Sequence, residues 1–337
     1  MGLLLAVPGL LGNALDPIVG ALGDTARRRA LVVGGGLVFA LAAVGSGLAV
    51  GFWTLLLALA LGNPATGAFV SLSQATLMDL APERRARGMA AWTLAGSFGY
   101  VGGPLLLAGA LWLGLGWRGV TIALGVAAVP LALVLRRRLP AGPHGALGLR
   151  PLLRETLLAL RRREVLRWLA VLEAAHLMLD VLHGFLALYL VEVAGLRPVE
   201  AGLGVAVWTG AGLAGDALLV LVLRRSAGLA VIRATAAVSL VLYPAFLLLP
   251  SLAGKLAVLG ALGLLNAGWY AIPKAELYAA LPGRSGIAVA AGGLGSVAGT
   301  AAPLVLGVLA GRFGLEPTMW VLAVAPVALL ALVPRRR

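Results

Sequence analysis

The sequence predicts an all-α polytopic membrane protein, two pseudo-symmetric helical bundles with about eleven transmembrane helices. Three observations predict it. The 337 residues are 61% hydrophobic and only 12% charged, with a mean hydropathy of +1.01. The basic residues fall in short clusters between apolar runs, and the second half of the chain repeats the first at an offset close to 200 residues.

Composition sets the class. A soluble domain of this size needs far more charge to cover its surface. Each membrane crossing needs roughly 20 mostly apolar residues. Barrel strands alternate apolar and polar positions, whereas runs such as Leu55 to Ala60 and Val327 to Val333 are continuous. The spans are therefore helices. They read as 3–22, 31–50, 53–77, 89–112 and 119–135, then 166–190, 201–223, 229–249, 256–278, 286–309 and 318–334. Residues 1–135 form an N-terminal bundle of five spans and 166–337 a C-terminal bundle of six. The arginine-rich stretch 136–165 between them reads as a loop with a short amphipathic helix.

The charge pattern sets orientation. A formal net charge of +14 would point to nucleic acid in a soluble protein. Here the basic residues cap spans with no stacking aromatics among them, and no nucleic-acid partner is expected. Alternate loops carry Arg27–Arg29, Arg84, Arg85 and Arg87, the arginines of 136–167, Arg224 and Arg225, Arg284 and Arg335–Arg337. The opposite loops carry only Arg118, Arg197, Lys255 and Arg312. The positive-inside rule places the first set, with the central loop and the C-terminus, in the cytoplasm of a multi-pass protein of the cell (inner) membrane.

The repeat is explicit. Gln74-Ala-Thr-Leu-Met-Asp-Leu-Ala-Pro82-Glu-Arg84 matches Lys274-Ala-Glu-Leu-Tyr-Ala-Ala-Leu-Pro282-Gly-Arg284, and Asp16 matches Asp216. The counterpart of 166–190 falls before Met1. The chain is thus expected to be a twelve-span pattern without its first helix.

Two motifs carry a family resemblance. Gly20-Ala-Leu-Gly-Asp24-Thr-Ala-Arg27-Arg28-Arg29 follows the first span. It resembles the G-x-x-x-D-x-x-G-R-R signature of the major facilitator superfamily, with Arg27 where that family usually has glycine. The resemblance implies that Gly20 lets two helices approach and that Asp24, Arg27, Arg28 and Arg29 form a cytoplasmic gate. Gly99-Tyr-Val-Gly-Gly103-Pro104 resembles the G-x-x-x-G-P element of the family's proton-driven exporters, which makes the resemblance drug/proton antiporter-like. Parallel repeats are one way such transporters are built.

The span 166–190 is the chemically loaded helix. Glu173, His176, Asp180 and His183 fall on one face at about 100° per residue. Charges at membrane depth are expensive and face a cavity or a partner. These four are candidates for a proton relay, with internal hydrogen bonding as the alternative. Glu173 to His183 covers about 15 Å of helix, too far for one metal ion, so no metal is expected. Asp16 is a further proton-coupling candidate. It and Asp216 each read as a protonation site or as the partner of a neighbouring helix end. The resemblance puts 53–77, 166–190 and 256–278 around a central cavity, making Asn63, Thr66, Gln74, Asn266, Trp269 and Tyr270 candidates for contact with substrate.

There is no G-x-x-x-x-G-K-[ST] cradle, no H-E-x-x-H and no cysteine. His144 reads as a solvated loop residue. The chain is expected not to be an enzyme and to use no cofactor. The expected function is a secondary active transporter, monomeric, exporting a small organic molecule in exchange for protons by alternating access. Its partners are then that small-molecule substrate, protons and the lipid bilayer. A uniporter or importer, and a non-transporting membrane sensor or scaffold on the same fold, are the alternatives.

Overall fold

The computed structural model describes residues 2–140 and 149–335; His144 lies outside them. Every regular element among the described residues is helical. In chain order they are α1 (Gly2–Gly23), α2 (Arg28–Leu48), α3 (Phe52–Leu80), α4 (Pro82–Trp112), α5 (Gly116–Arg138), α6 (Leu149–Ala159) and α7 (Arg163–Glu192). There follow α8 (Pro198–Val222), α9 (Gly228–Leu248), α10 (Leu252–Leu265), α11 (Ala271–Ala279), α12 (Ser285–Phe313) and α13 (Leu315–Leu332). Eight of them, α2 to α5, α7 to α9 and α13, are long and apolar enough to cross a membrane. The other spans read from sequence coincide with α1, with α10 and α11 together, and with α12. Large apolar side chains lie open on the outside of these helices, among them Leu41, Leu131, Val241 and Leu304. In water such a surface would aggregate; a bilayer solvates it.

Two features depart from the uniform helices the sequence suggests. A turn of π-helix interrupts α3 at Gly67–Ser71 and α7 at Leu177–Val181. The span expected to be continuous over 256–278 is broken at 266–270. There Gly268 has φ +88°, a left-handed conformation that glycine adopts without steric cost.

The chain forms two compact units. The first comprises 1–82, 102–165 and 278–294. In it α2 packs closely against α5 and α3 at glycines. A Cβ at Gly125 would meet the Ala40 carbonyl at 2.8 Å, and one at Gly35 would meet Ala68 at the same distance. Helices in lipid gain from such close approach because dispersion replaces the hydrophobic drive. Arg118 closes the end of α2 by donating to the carbonyls of Ala49 (2.7 Å) and Gly47 (3.2 Å), where a helix C-terminus favours a cation. In the same unit α6 is tied by Glu155 to Arg284 at 3.2 Å.

The second unit comprises 83–101, 166–277 and 295–337. Here α8 packs on α10. A Cβ at Gly263 would meet the Trp208 carbonyl at 2.7 Å, and one at Gly215 the Leu264 carbonyl at 2.7 Å. Lys255 is buried, donates to the Phe246 carbonyl at 2.8 Å and sits over the Tyr189 and Phe246 rings. Arg233 likewise donates to the carbonyls of Leu330 and Val333 at the end of α13.

Candidate functional site

The second unit holds a cavity of about 430 Å³ walled by α4, α7, α8 and the break between α10 and α11. From α4 come Trp92, Thr93, Gly96, Ser97 and Tyr100, which share one face at helical spacing. From α7 come His176, Asp180 and His183. Trp208, Thr209 and Asp216 come from α8, and Asn266 and Tyr270 from the broken segment.

The π turn decides how α7 presents its polar residues. His176 stands between two carboxylates of its own helix. Its Nδ1 is 3.7 Å from Glu173 and its Nε2 is 3.9 Å from Asp180. Its ring stacks with that of Tyr270, centroids 6.3 Å apart. Asp180 lies in the widened turn Leu177–Val181, and its side chain is 64% exposed. His176, Asp180 and His183 line the cavity, and Glu173 does not. A π turn inside a span often marks a functional position.

One polar group in the wall, Ser97, is not among the site residues read from the sequence, whereas Asn266 is. Ser97 donates to Asp216 at 2.5 Å, joining α4 to the buried carboxylate of α8. The polar and aromatic residues recurring along one face of α4 were the signal that pointed there. Asn266 is 3% exposed, and neither its amide nitrogen nor its amide oxygen has a hydrogen-bond partner. Buried amides are normally satisfied, and this one lies in the cavity wall.

The other expected contact residues are placed differently. Trp269 is fully buried and its indole donates to Thr235 at 3.0 Å, so it packs the break against α9 and does not line the cavity. Asn63, Thr66 and Gln74 belong to the first unit. Asn63 fills the space over Gly12, Thr66 donates back to the Gly62 carbonyl, and the buried Gln74 accepts from Tyr278 at 3.1 Å. Asp16 also lies in the first unit, where Cβ atoms at Gly67 and Gly293 would press on it at 2.6 and 2.8 Å.

The first unit contains the charged turn after α1. Asp24 is buried and accepts from the backbone amides of Gly286 (2.7 Å) and Ile287 (2.9 Å), the first turn of α12. A carboxylate there meets both the unpaired amides and the positive end of the helix dipole. Burial pushes the Asp24 carboxyl above the ordinary range, while the two amides and Arg28 pull against that rise. Arg28 holds Asp24 at 2.9 Å and Asp79 at 2.6 Å, and donates to Ser285 and to the Gly23 carbonyl. Gly20 has no room for a side chain, since a Cβ would meet the Gly286 carbonyl at 2.5 Å. Arg27 and Arg29, expected in the same relay, are exposed and outside it. Arg27 has φ −79°, a conformation any residue adopts, so the turn does not need the family's glycine.

The family match covers most of the chain. The model of the Major Facilitator Superfamily matches residues 1–279. The chain belongs to the major facilitator superfamily. It is therefore a multi-pass membrane transporter by fold and family, not an enzyme. Similar solved structures include the superfamily transporter FucP in an outward conformation, elsewhere described as the E. coli fucose:proton symporter. It has TM-score 0.81 and 15% identity, covering 98% of this chain and 88% of that one. The proton:xylose symporter XylE gives TM-score 0.74 and 16% identity, covering 98% and 84%. A bacterial homologue of the iron transporter ferroportin, in an outward-facing state, gives 0.72 and 23%, covering 98% and 88%. No curated protein sequence matches the chain. In this superfamily member the glycines of the exporter-like element, Gly99, Gly102 and Gly103, have open space where a Cβ would stand, so close helix packing does not explain them.

Proposed function

We propose that the chain is a proton-coupled antiporter that exports a small organic molecule by alternating access, with residues 1–135 and 166–337 as the moving halves. The loop 136–165 and the C-terminus then face the cytoplasm, and the protein acts as a monomer. The observation that carries this reading is His176, set between Glu173 and Asp180 beside a cavity that Asp180 and His183 line. A bare carboxylate at membrane depth is costly. A proton or a bound substrate each relieves that cost, and if one carboxylate accepts only one of them, exchange follows. Glu173 and Asp180 are the proposed proton carriers and His176 and His183 tune them; Asp16 is a further carrier.

The second reading is uptake, with proton and substrate bound together. Its support is that two of the structurally similar proteins are proton symporters for sugars. Proteoliposomes carrying an internal pH dye separate the two by the sign of the pH change when substrate is added. A saturable pH change that disappears in Glu173→Gln or Asp180→Asn is the expected result. Coupling unchanged in both variants would sink the proton assignment. A folded protein that moves no solute would return weight to a sensor or scaffold role.

A further inference from the structure

We propose that the cavity of the second unit takes an organic cation bearing hydrogen-bond donors, such as a protonated amine or amidine. The inference rests on reading that cavity as the substrate site, and four independent features of its wall point the same way.

The first is charge. Asp180 and Asp216 line the cavity, and among the described residues no lysine or arginine does. Lys274, one turn beyond Tyr270 on α11, is not part of the wall. The second is the helix break. The C-terminal end of α10 and the loop after it, Gly263 to Gly268, form part of the wall. A helix C-terminus carries about half a negative charge, and unwound backbone inside a membrane is tolerated where it lines a cavity or binds a ligand.

The third is aromatic surface. Trp92, Trp208 and Tyr270 stand around the same space, and a ring face attracts a cation most strongly once water is displaced. The fourth is Asn266. Its amide is buried without partners, so a ligand able to donate to its oxygen would satisfy a group that otherwise carries a desolvation penalty. A volume of about 430 Å³ suits one compact organic molecule. An anion would meet two carboxylates and a helix C-terminus, and the wall's bases among the described residues are His176, already flanked by Glu173 and Asp180, and His183.

Benzamidinium, benzamide and benzoate are planar, nearly equal in size, and carry charges of +1, 0 and −1. They are titrated calorimetrically into the full chain in nanodiscs at fixed ionic strength. Benzamidinium is expected to bind at least about tenfold tighter than benzamide, and benzoate weakest. Asp216→Asn, which keeps an acceptor for Ser97, should pull the cation-to-neutral ratio towards one. Asp180→Asn is the second variant, at an exposed carboxylate where folding is not in question. Asn266→Leu should weaken benzamidinium and benzamide by a similar factor, about fivefold. Equal affinities across the series, tightest binding of benzoate, or a ratio unmoved in both aspartate variants would overturn the cation site. The same probes, with fucose and xylose added, are then offered to proteoliposomes. Saturable flux of a neutral or anionic solute without preference for benzamidinium removes the cation site and leaves transport standing. Charge-selective binding without flux of any probe does the reverse.

Discussion

The guanidinium of Arg28 meets the carboxylate of Asp79 at 2.6 Å while it also holds Asp24 at 2.9 Å. One side chain, 6% exposed, thus joins the ends of α1 and α3 to the start of α2, and reaches α12 through Ser285. Removing it leaves Asp24 buried without its charge partner. Arg28→Ala should therefore destabilise the protein by about 3–5 kcal/mol. Arg27→Ala and Arg29→Ala, at exposed positions, should stay within about 0.5 kcal/mol. Thermal unfolding in one detergent measures all three. Similar losses at the three arginines would mean that the basic cluster acts as a whole.

Gly286 and Gly20 face each other across α12 and α1. A Cβ on Gly286 would come within 2.2 Å of the Gly20 carbonyl and 2.8 Å of the Asp24 carboxylate. The nearest of these contacts is backbone, which cannot swing aside as the end of a side chain would. Gly286→Ala should cost about 1–3 kcal/mol by overpacking and should also loosen the Asp24 cap. Gly34, with open space around it, is the control: Gly34→Ala in mid-helix should be neutral or stabilise by up to about 1 kcal/mol. A melting temperature lowered equally by both would argue against the packing account.

Ser97 and Asp216 form the corresponding polar tie in the second unit. Asp216 is 7% exposed, so deleting its donor leaves a buried carboxylate short of a hydrogen bond. Ser97→Ala should destabilise by about 1–3 kcal/mol, and Ser97→Thr, which keeps the hydroxyl, should recover most of it. If Thr fails where Ala fails, the space around Ser97 matters and the bond does not.

Much of this was legible in the sequence because lipid imposes a simple rule. Apolar runs of sufficient length become helices, so α2, α5, α8 and α9 coincide with their spans to within a few residues. The Gly20 and Asp24 positions carried their own signature. Asp79 did not, because its partner Arg28 is 51 residues away and no local pattern links them. The π turn in α7 and the break at Gly268 were hidden for a related reason. Both interrupt runs whose composition stays helical throughout, and only tertiary packing decides where the hydrogen-bond ladder yields. The break at 266–270 is where Asn266 enters the cavity wall.

The break also separates two neighbours that sequence treats alike. Trp269 is fully buried against Thr235, whereas Tyr270 faces the cavity and stacks on His176. Trp269→Phe removes the indole donor and a ring's worth of packing, and should cost about 1–2 kcal/mol. Benzamidinium affinity, measured on the folded fraction, should be unchanged. Tyr270→Ala should show the opposite pattern, with a smaller change in melting temperature and at least about a tenfold loss of affinity from the missing ring face. Binding that falls with Trp269 and persists without Tyr270 would show that the break faces the other way in the working protein. The same result would take Asn266 out of the cavity wall.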